Sequence, residues 1–235
     1  MDVSRFKALT FDIVGTLIDY RAGALACMRE LARENDHTPE SSKLLDAFLR
    51  AELETHREHP EMTFTDTLTL IWQSVCDERG LEYSEEDAET FKASVPFWPP
   101  FPDSVDALAM LRRSFRLVAV TNADDWAAGV MAGTLENPFD AVVTAEQVGI
   151  TKPDHRPFEA MWAELDKLEV SREEVLHVAQ GLGTDIEPAN RLGFPVVWVD
   201  RYGESSRPGS AKAADGALMK IHELSELAER LEVEA

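Results

Sequence analysis

Cysteine is scarce in this chain. Its 235 residues include two, Cys27 and Cys76, too few for a disulfide framework and without metal-site spacing. Both read as small apolar side chains on helices, in a reduced, cytoplasmic protein. Basic residues are also few. Lys and Arg total 23 against 44 Asp and Glu, a formal charge of -21 at pH 7 with a pI near 4.6. Such a surface repels phosphate backbones and anionic headgroups, so no nucleic-acid and no membrane partner is expected. An anionic substrate would need cations placed locally against the global field. The excess acid fits a need for solubility or a saline habitat equally well. No run approaches the roughly 20 apolar residues of a membrane span. The first apolar run, Ala8 to Ile18, carries Asp12, Gly15 and Thr16, which spoils a signal-peptide core. There is no internal repeat and no long low-complexity tract.

Hydrophobic content of 44% and charged content of 29% are those of a globular chain able to bury a full core. At about 150 residues per domain, the length falls between one domain and two. Near-continuous apolar runs at Phe6–Val14, Leu117–Thr121, Ala141–Thr144, Val175–Ala179 and Pro195–Val199 read as buried strands. Helical patterns at Val105–Arg113, Trp126–Leu135, Pro157–Leu168 and Ile186–Leu192 separate them. Apolar strands alternating with helices predict a doubly wound, Rossmann-like α/β fold with a parallel sheet covered on both faces. From Ile18 to Phe97 the alternation stops. Arg21–Glu34, Pro39–His56, Asp66–Arg79 and Glu85–Ser94 carry apolar residues at helical spacing. This is expected to be a helical cap, 18–97, inserted after the first strand of a core made of 1–17 and 98–235. Pro96 to Pro102, rich in proline and aromatics, is expected to be a stiff extended linker. Tyr202–Gly216 reads as a surface loop and His222–Leu231 as a last helix.

Ligands of open parallel sheets sit beyond the carboxyl ends of the strands. There the sequence offers Asp12 to Thr16, then Thr121 and Asn122, then Thr151 to Asp154, then Gln180 to Asp185. A carboxylate facing hydroxyl, amide and ammonium groups suits a nucleophile and a substrate whose charge must be held. Each residue also has a plainer use. Thr16 suits a helix N-cap, Asn122 an Asx turn, Lys152 a solvated loop and Asp185 a helix N-terminus.

FDIVGTL, VTNAD, GITKPD and HVAQGLGTD, in that order and with a helical insert after the first, resemble the four motifs of the haloacid dehalogenase superfamily. The resemblance covers nearly the whole chain. It implies Asp12 as nucleophile, Lys152 as the cation beside it and Asp185 as the fourth-motif acid, all three catalytic. It implies Thr16, Thr121 and Asn122 as substrate-binding residues, with Thr16 also steadying the first loop.

Val14 decides between chemistries. The superfamily's phosphatases typically have a second Asp there, which protonates an alkoxide leaving group; losing such an acid costs about 10²–10⁴-fold. A halide leaves without a proton. The leading expectation is therefore attack by Asp12 on the halogen-bearing carbon of a short 2-haloacid, a small anionic substrate, through an aspartyl ester and with no cofactor required. The chain departs from 2-haloacid dehalogenases, which have Tyr at position 14, Tyr at Phe158, and Ser and Asn where Gln180 and Leu182 stand. A halide cradle is expected from a cap arginine, Arg50 or Arg57. The alternatives are a magnesium-dependent phosphatase or phosphonatase, with the ion on Asp12, the Val14 carbonyl and Asp185, or a non-catalytic relative. A phosphonatase of this kind would need a cap lysine, for which Lys43 is the nearest candidate. His177, inside a strand, reads as a satisfied core histidine. His56 and His59 lack a ligand set for a metal. Trp98 and Phe101 are placed either in the cleft or in the core. A homodimer is left open.

Overall fold

Apolar runs flanked by helices on both sides become strands of one parallel sheet. The structure, a computed structural model, describes residues 5–34, 37–203 and 214–232. Its strands β1 (Ala8–Phe11), β2 (Arg116–Thr121), β3 (Ala141–Thr144), β4 (Val175–Ala179), β5 (Val196–Val199) and β6 (Met219–Ile221) lie in the order β3-β2-β1-β4-β5-β6. Every ladder is parallel. Side chains alternate between faces. Leu9, Phe11, Leu117, Ala119, Leu176, Val178, Val197 and Val199 enter one core. Ala8, Val118, Val120, Val175, Ala179, Val196 and Trp198 enter the other. The first core is covered by α5 (Ser104–Leu111), α6 (Asp125–Thr134) and α10 (Leu224–Glu232), the second by α8 (Arg156–Lys167) and α9 (Glu187–Leu192). Pro157 opens α8, where its missing N–H costs nothing.

Strand order reverses at β1, which lies between β2 and β4. The crevice beyond its carboxyl end is where a doubly wound sheet places its ligand.

Between β1 and β2 come α1 (Tyr20–Glu34), α2 (Ser41–Glu58), α3 (Phe64–Arg79) and α4 (Glu85–Ala93). Local chemistry sets their ends. Thr63 and Ser84 accept N-cap hydrogen bonds from Asp66 and Asp87. Their apolar faces meet around Phe48, Trp72 and Phe91, whose rings lie 5.8–6.2 Å apart. The chain enters and leaves this insert through two paired segments: Asp19 N–H donates to Pro99 O at 2.8 Å and Phe101 N–H to Leu17 O at 3.0 Å. The α3 start is fastened to the core, because the Asp124 carboxylate accepts from both the Thr65 N–H and hydroxyl while capping α6.

Several expectations need correction. β1 is shorter than Phe6–Val14, because the Ile13 carbonyl turns to accept from the N–H groups of Thr16, Leu17 and Ile18. The linker is not extended throughout: Val95–Phe97 form one 3₁₀ turn. Trp98 is buried against Tyr20 and Phe64, so it belongs to the core rather than the cleft. β6 was not expected at all. The 202–216 loop falls largely on residues 204–213, outside the described residues. No helix among the described residues is long and apolar enough to cross a membrane.

Candidate active site

The segments that follow β1, β3 and β4 bring three of the expected residues into contact. Asp12 follows β1, Lys152 lies in the loop after α7 (Ala145–Val148), and Asp185 lies in the π-helical turn Leu182–Ile186 after β4. The Lys152 ammonium donates to Asp12 Oδ1 at 3.0 Å, to Asp185 Oδ1 at 2.6 Å and to the Val120 carbonyl at 2.9 Å. An ammonium has three donors, and all three are engaged. The second Asp12 oxygen accepts from the Thr16 hydroxyl at 2.7 Å, and that hydroxyl accepts from Gln180 N–H at 2.9 Å. Gly15 makes the tight loop possible: its φ of 85° is one that a side chain disfavours.

The electrostatics follow from this geometry. Burial acts against the Lys152 charge, but Asp12 and Asp185 outweigh it and raise the lysine pKa. Burial likewise opposes ionisation of Asp185, yet Lys152 and His177 bring its carboxyl down to about 2. For Asp12 burial prevails over Lys152 and moves the pKa upward.

His177 is satisfied, as expected. One ring nitrogen pairs with Thr10 Oγ1 at 2.9 Å and the other with Asp185 Oδ1 at 3.1 Å. Phe158 packs edge-on against this ring at 5.8 Å, in the core. The second Asp185 oxygen accepts from the Thr184 hydroxyl at 2.7 Å. Gly181 leaves room for this pair, since a Cβ there would lie 2.1 Å from Thr184 Oγ1 and 2.6 Å from Asp185 Oδ2. Asp185 is thus fully engaged and 1% exposed. It holds Lys152, the contact by which a fourth-motif acid would orient the lysine.

The two residues expected to bind substrate also have partners within the protein. Thr121 is buried and its hydroxyl accepts from Ala123 N–H at 3.2 Å. Asn122 grips the Lys152 backbone from both ends of its amide, at 3.1 and 2.7 Å. Asn122 therefore shapes the lysine loop and also lines the hollow, while Thr121 braces the turn at Ala123.

That hollow, about 210 Å³, is walled by Asp12, Val14, Asn122, Lys152, Gln180 and Thr184 from the core and by Tyr20, Glu52, His56 and Phe64 from the insert. Its volume suits a small ligand. Neither Arg50 nor Arg57 contributes, because they pair with Glu78 and Glu58 on the exposed surface. The insert instead brings Glu52, which accepts from the Tyr20 hydroxyl at 3.2 Å. Burial pushes its carboxyl up to about 7, against the pull of that hydroxyl and of Arg21. The sequence carried a signal for Glu52: it lies four residues after Phe48, on the apolar face of α2. Cys27 and Cys76 are free, and burial pushes both thiols up, Cys76 to about 12, so neither is an activated nucleophile.

Magnesium takes about six oxygens in near-octahedral array. Of the set expected for it, Asp185 has both oxygens engaged and does not wall the hollow. A magnesium ion on Asp12, the Val14 carbonyl and Asp185 would compete with Lys152, which already donates to both carboxylates.

The family model for haloacid dehalogenase-like hydrolases matches residues 6–193. The chain belongs to that family. Among relatives of these hydrolases, the 5-amino-6-(5-phospho-D-ribitylamino)uracil phosphatase YigB of Escherichia coli is 30% identical over 213 residues, 84% of each chain. The (S)-2-haloacid dehalogenase of Pseudomonas sp. strain YL is 27% identical over 203 residues, again 84% of each. The crystal structure of the L-2-haloacid dehalogenase of Xanthobacter autotrophicus superposes with a TM-score of 0.80 at 19% identity, covering 98% of this chain and all of that one. A phosphatase and a dehalogenase match over equal shares of the chain, so family membership fixes the fold and the hydrolase class and leaves the bond cleaved to the site itself.

Proposed function

We propose that this hydrolase cleaves a carbon–halogen bond in a small 2-halogenated substrate by nucleophilic attack of Asp12. The observation that carries the reading is the pairing of Asp12 with Val14 on the same wall. The nucleophile is held on one oxygen by Lys152 and on the other by Thr16, and its neighbour in the loop has no proton to give. An Asp12 oxygen forms a bond to the halogen-bearing carbon while the carbon–halogen electron pair leaves as halide. Water then adds to the ester carbonyl, the hydroxylated product departs and Asp12 is restored. One proton is released overall, no redox change occurs, and the single displacement inverts the carbon. Lys152 and Thr16 fix the attacking carboxylate, and Asp185 with His177 fixes Lys152. No metal is required by this chemistry. Free Cys27 and Cys76 suit a reducing compartment such as the cytoplasm.

Likeness to YigB favours a second reading, phosphoryl transfer to water, for which Val14 supplies no acid. Halide release from 2-chloro and 2-bromo substrates, run beside phosphate release from a phosphate ester with magnesium, separates the two. Halide release without added metal and its loss in Asp12→Asn are expected. Magnesium-dependent phosphate release without halide release would contradict the proposal.

A further inference from the structure

The hollow around Asp12 has a charge pattern that bears on what enters it. Lys152 is the one Lys or Arg among the described residues on its wall, and its three protons are donated to Asp12, Asp185 and Val120. Three main-chain N–H groups at the strand ends are engaged too: Ala123 donates to Thr121, Lys152 to Asn122 and Gln180 to Thr16. Facing them is Glu52. His56 on the same wall has its pKa lowered by burial, so it brings no positive charge at neutral pH. Arg21 is not on the wall: its guanidinium lies 3.6 Å over the Tyr202 ring and its Nε 3.5 Å from the Tyr20 hydroxyl, from where it only partly offsets the Glu52 charge. A second hollow adjoins the first, sharing Phe64 and Asn122, and its wall carries Glu61, Asp124 and Glu146 with no Lys or Arg among the described residues. An anion would thus approach past carboxylates, inside a field of net charge -21, toward a cation already matched.

Resting on the proposed carbon–halogen chemistry, we infer that the site selects an uncharged halogenated molecule, such as a 2-haloamide, over the 2-haloacid anion, because its wall presents Glu52 and no cation with a free donor. Displacement at the halogen-bearing carbon needs an electron-withdrawing neighbour, and a carboxamide provides one without a charge. Its N–H₂ can donate to the Glu52 carboxyl, which a carboxylate cannot do.

Binding without turnover tests the charge preference separately from the chemistry. Propionamide and propionate, which lack a halogen, are titrated into the wild-type protein at pH 8 and followed by ligand-observed NMR. Propionamide is expected to bind at least about tenfold more tightly, a 1.4 kcal/mol preference. Glu52→Gln is expected to narrow the gap several-fold by strengthening propionate binding. Equal or tighter binding of propionate, or failure of both to bind, overturns the inference. Halide release is then compared for 2-chloropropionamide and 2-chloropropionate. Faster release from the amide supports the inference, and faster Asp12-dependent release from the acid overturns it while leaving the chemistry standing. Preferential amide binding with no halide from either compound keeps the charge preference and refutes the carbon–halogen reading.

Discussion

Replacing Lys152 by Met should expose the electrostatic design of the site. The ammonium is buried between two carboxylates, 3.0 Å from Asp12 and 2.6 Å from Asp185, with 1% of the lysine side chain exposed. Removing one member of a buried ion pair costs about 3–5 kcal/mol, because the partner is left charged and unpaired. Here two partners are left, and His177 can compensate Asp185 alone. We expect a loss of about 4 kcal/mol at pH 8. The variant can relieve the repulsion by binding a proton more tightly than the wild type does, because losing Lys152 adds to the upward push that burial already exerts on Asp12. One carboxyl then has a folded pKa above its unfolded value near 3.8, so the folded variant binds more protons than its unfolded state and gains stability as pH falls. The loss should shrink by up to about 1.4 kcal/mol per pH unit between pH 8 and 5. Wild-type Asp185, held at about 2, is fully ionised across that window and adds no slope. Glu52, at about 7, titrates in both proteins and cancels in the difference. Urea unfolding of both proteins at pH 5 and pH 8 reads the effect. A loss under about 1 kcal/mol, or one equal at the two pH values, would refute the reasoning, since a matched buried ion triad could not behave so.

Two further variants test neighbouring parts of the site. Glu52 has a folded pKa raised from 4.5 to about 7, so the penalty for ionising it is absent below about pH 4.5, grows through pH 7 and is then constant; its full size is at most about 3 kcal/mol. Water at the partly open wall reduces this, and Glu52→Gln should gain about 1–2 kcal/mol in urea unfolding at pH 8 and nothing at pH 4. A gain that is equal at both pH values would mean that Glu52 is not strained by ionisation. Gly181→Ala should push Thr184 and Asp185 off their positions, costing about 1–3 kcal/mol of stability and, through Lys152, at least about tenfold in turnover. A variant unchanged in both would show that the loop has slack which the geometry denies.

Much of this was legible in the chain because burial on both faces leaves a simple mark. Ala141–Thr144 and Val175–Ala179 are strands as read, since a parallel strand covered by helices needs apolar residues at every position. Met219–Ile221 is an edge strand with its central Lys220 exposed, and three residues of that kind have no pattern to find. Asp12, Lys152 and Asp185 were legible because strand ends in this topology converge. The internal partners of Thr121 and Asn122 were not, because these are set by loop geometry rather than by residue type. The expected cap arginine failed for a readable reason. Leu44, Phe48, Ala51 and Thr55 define the buried face of α2, and Arg50, two residues from Phe48, points away from it, whereas Glu52 points toward it. The acidic composition anticipated the problem that the hollow now poses for an anionic substrate.

The central claim is that Asp12 is the nucleophile, and isotope transfer tests it most directly. Enzyme in excess of a halogenated substrate is allowed one turnover in H₂¹⁸O, and the peptide containing Asp12 is weighed beside the product. The account predicts ¹⁸O in the Asp12 carboxylate and none in the hydroxyl of the product, because water attacks the ester carbonyl. Label in the product with an unlabelled Asp12 would mean that water attacks the substrate carbon itself, and would contradict the account.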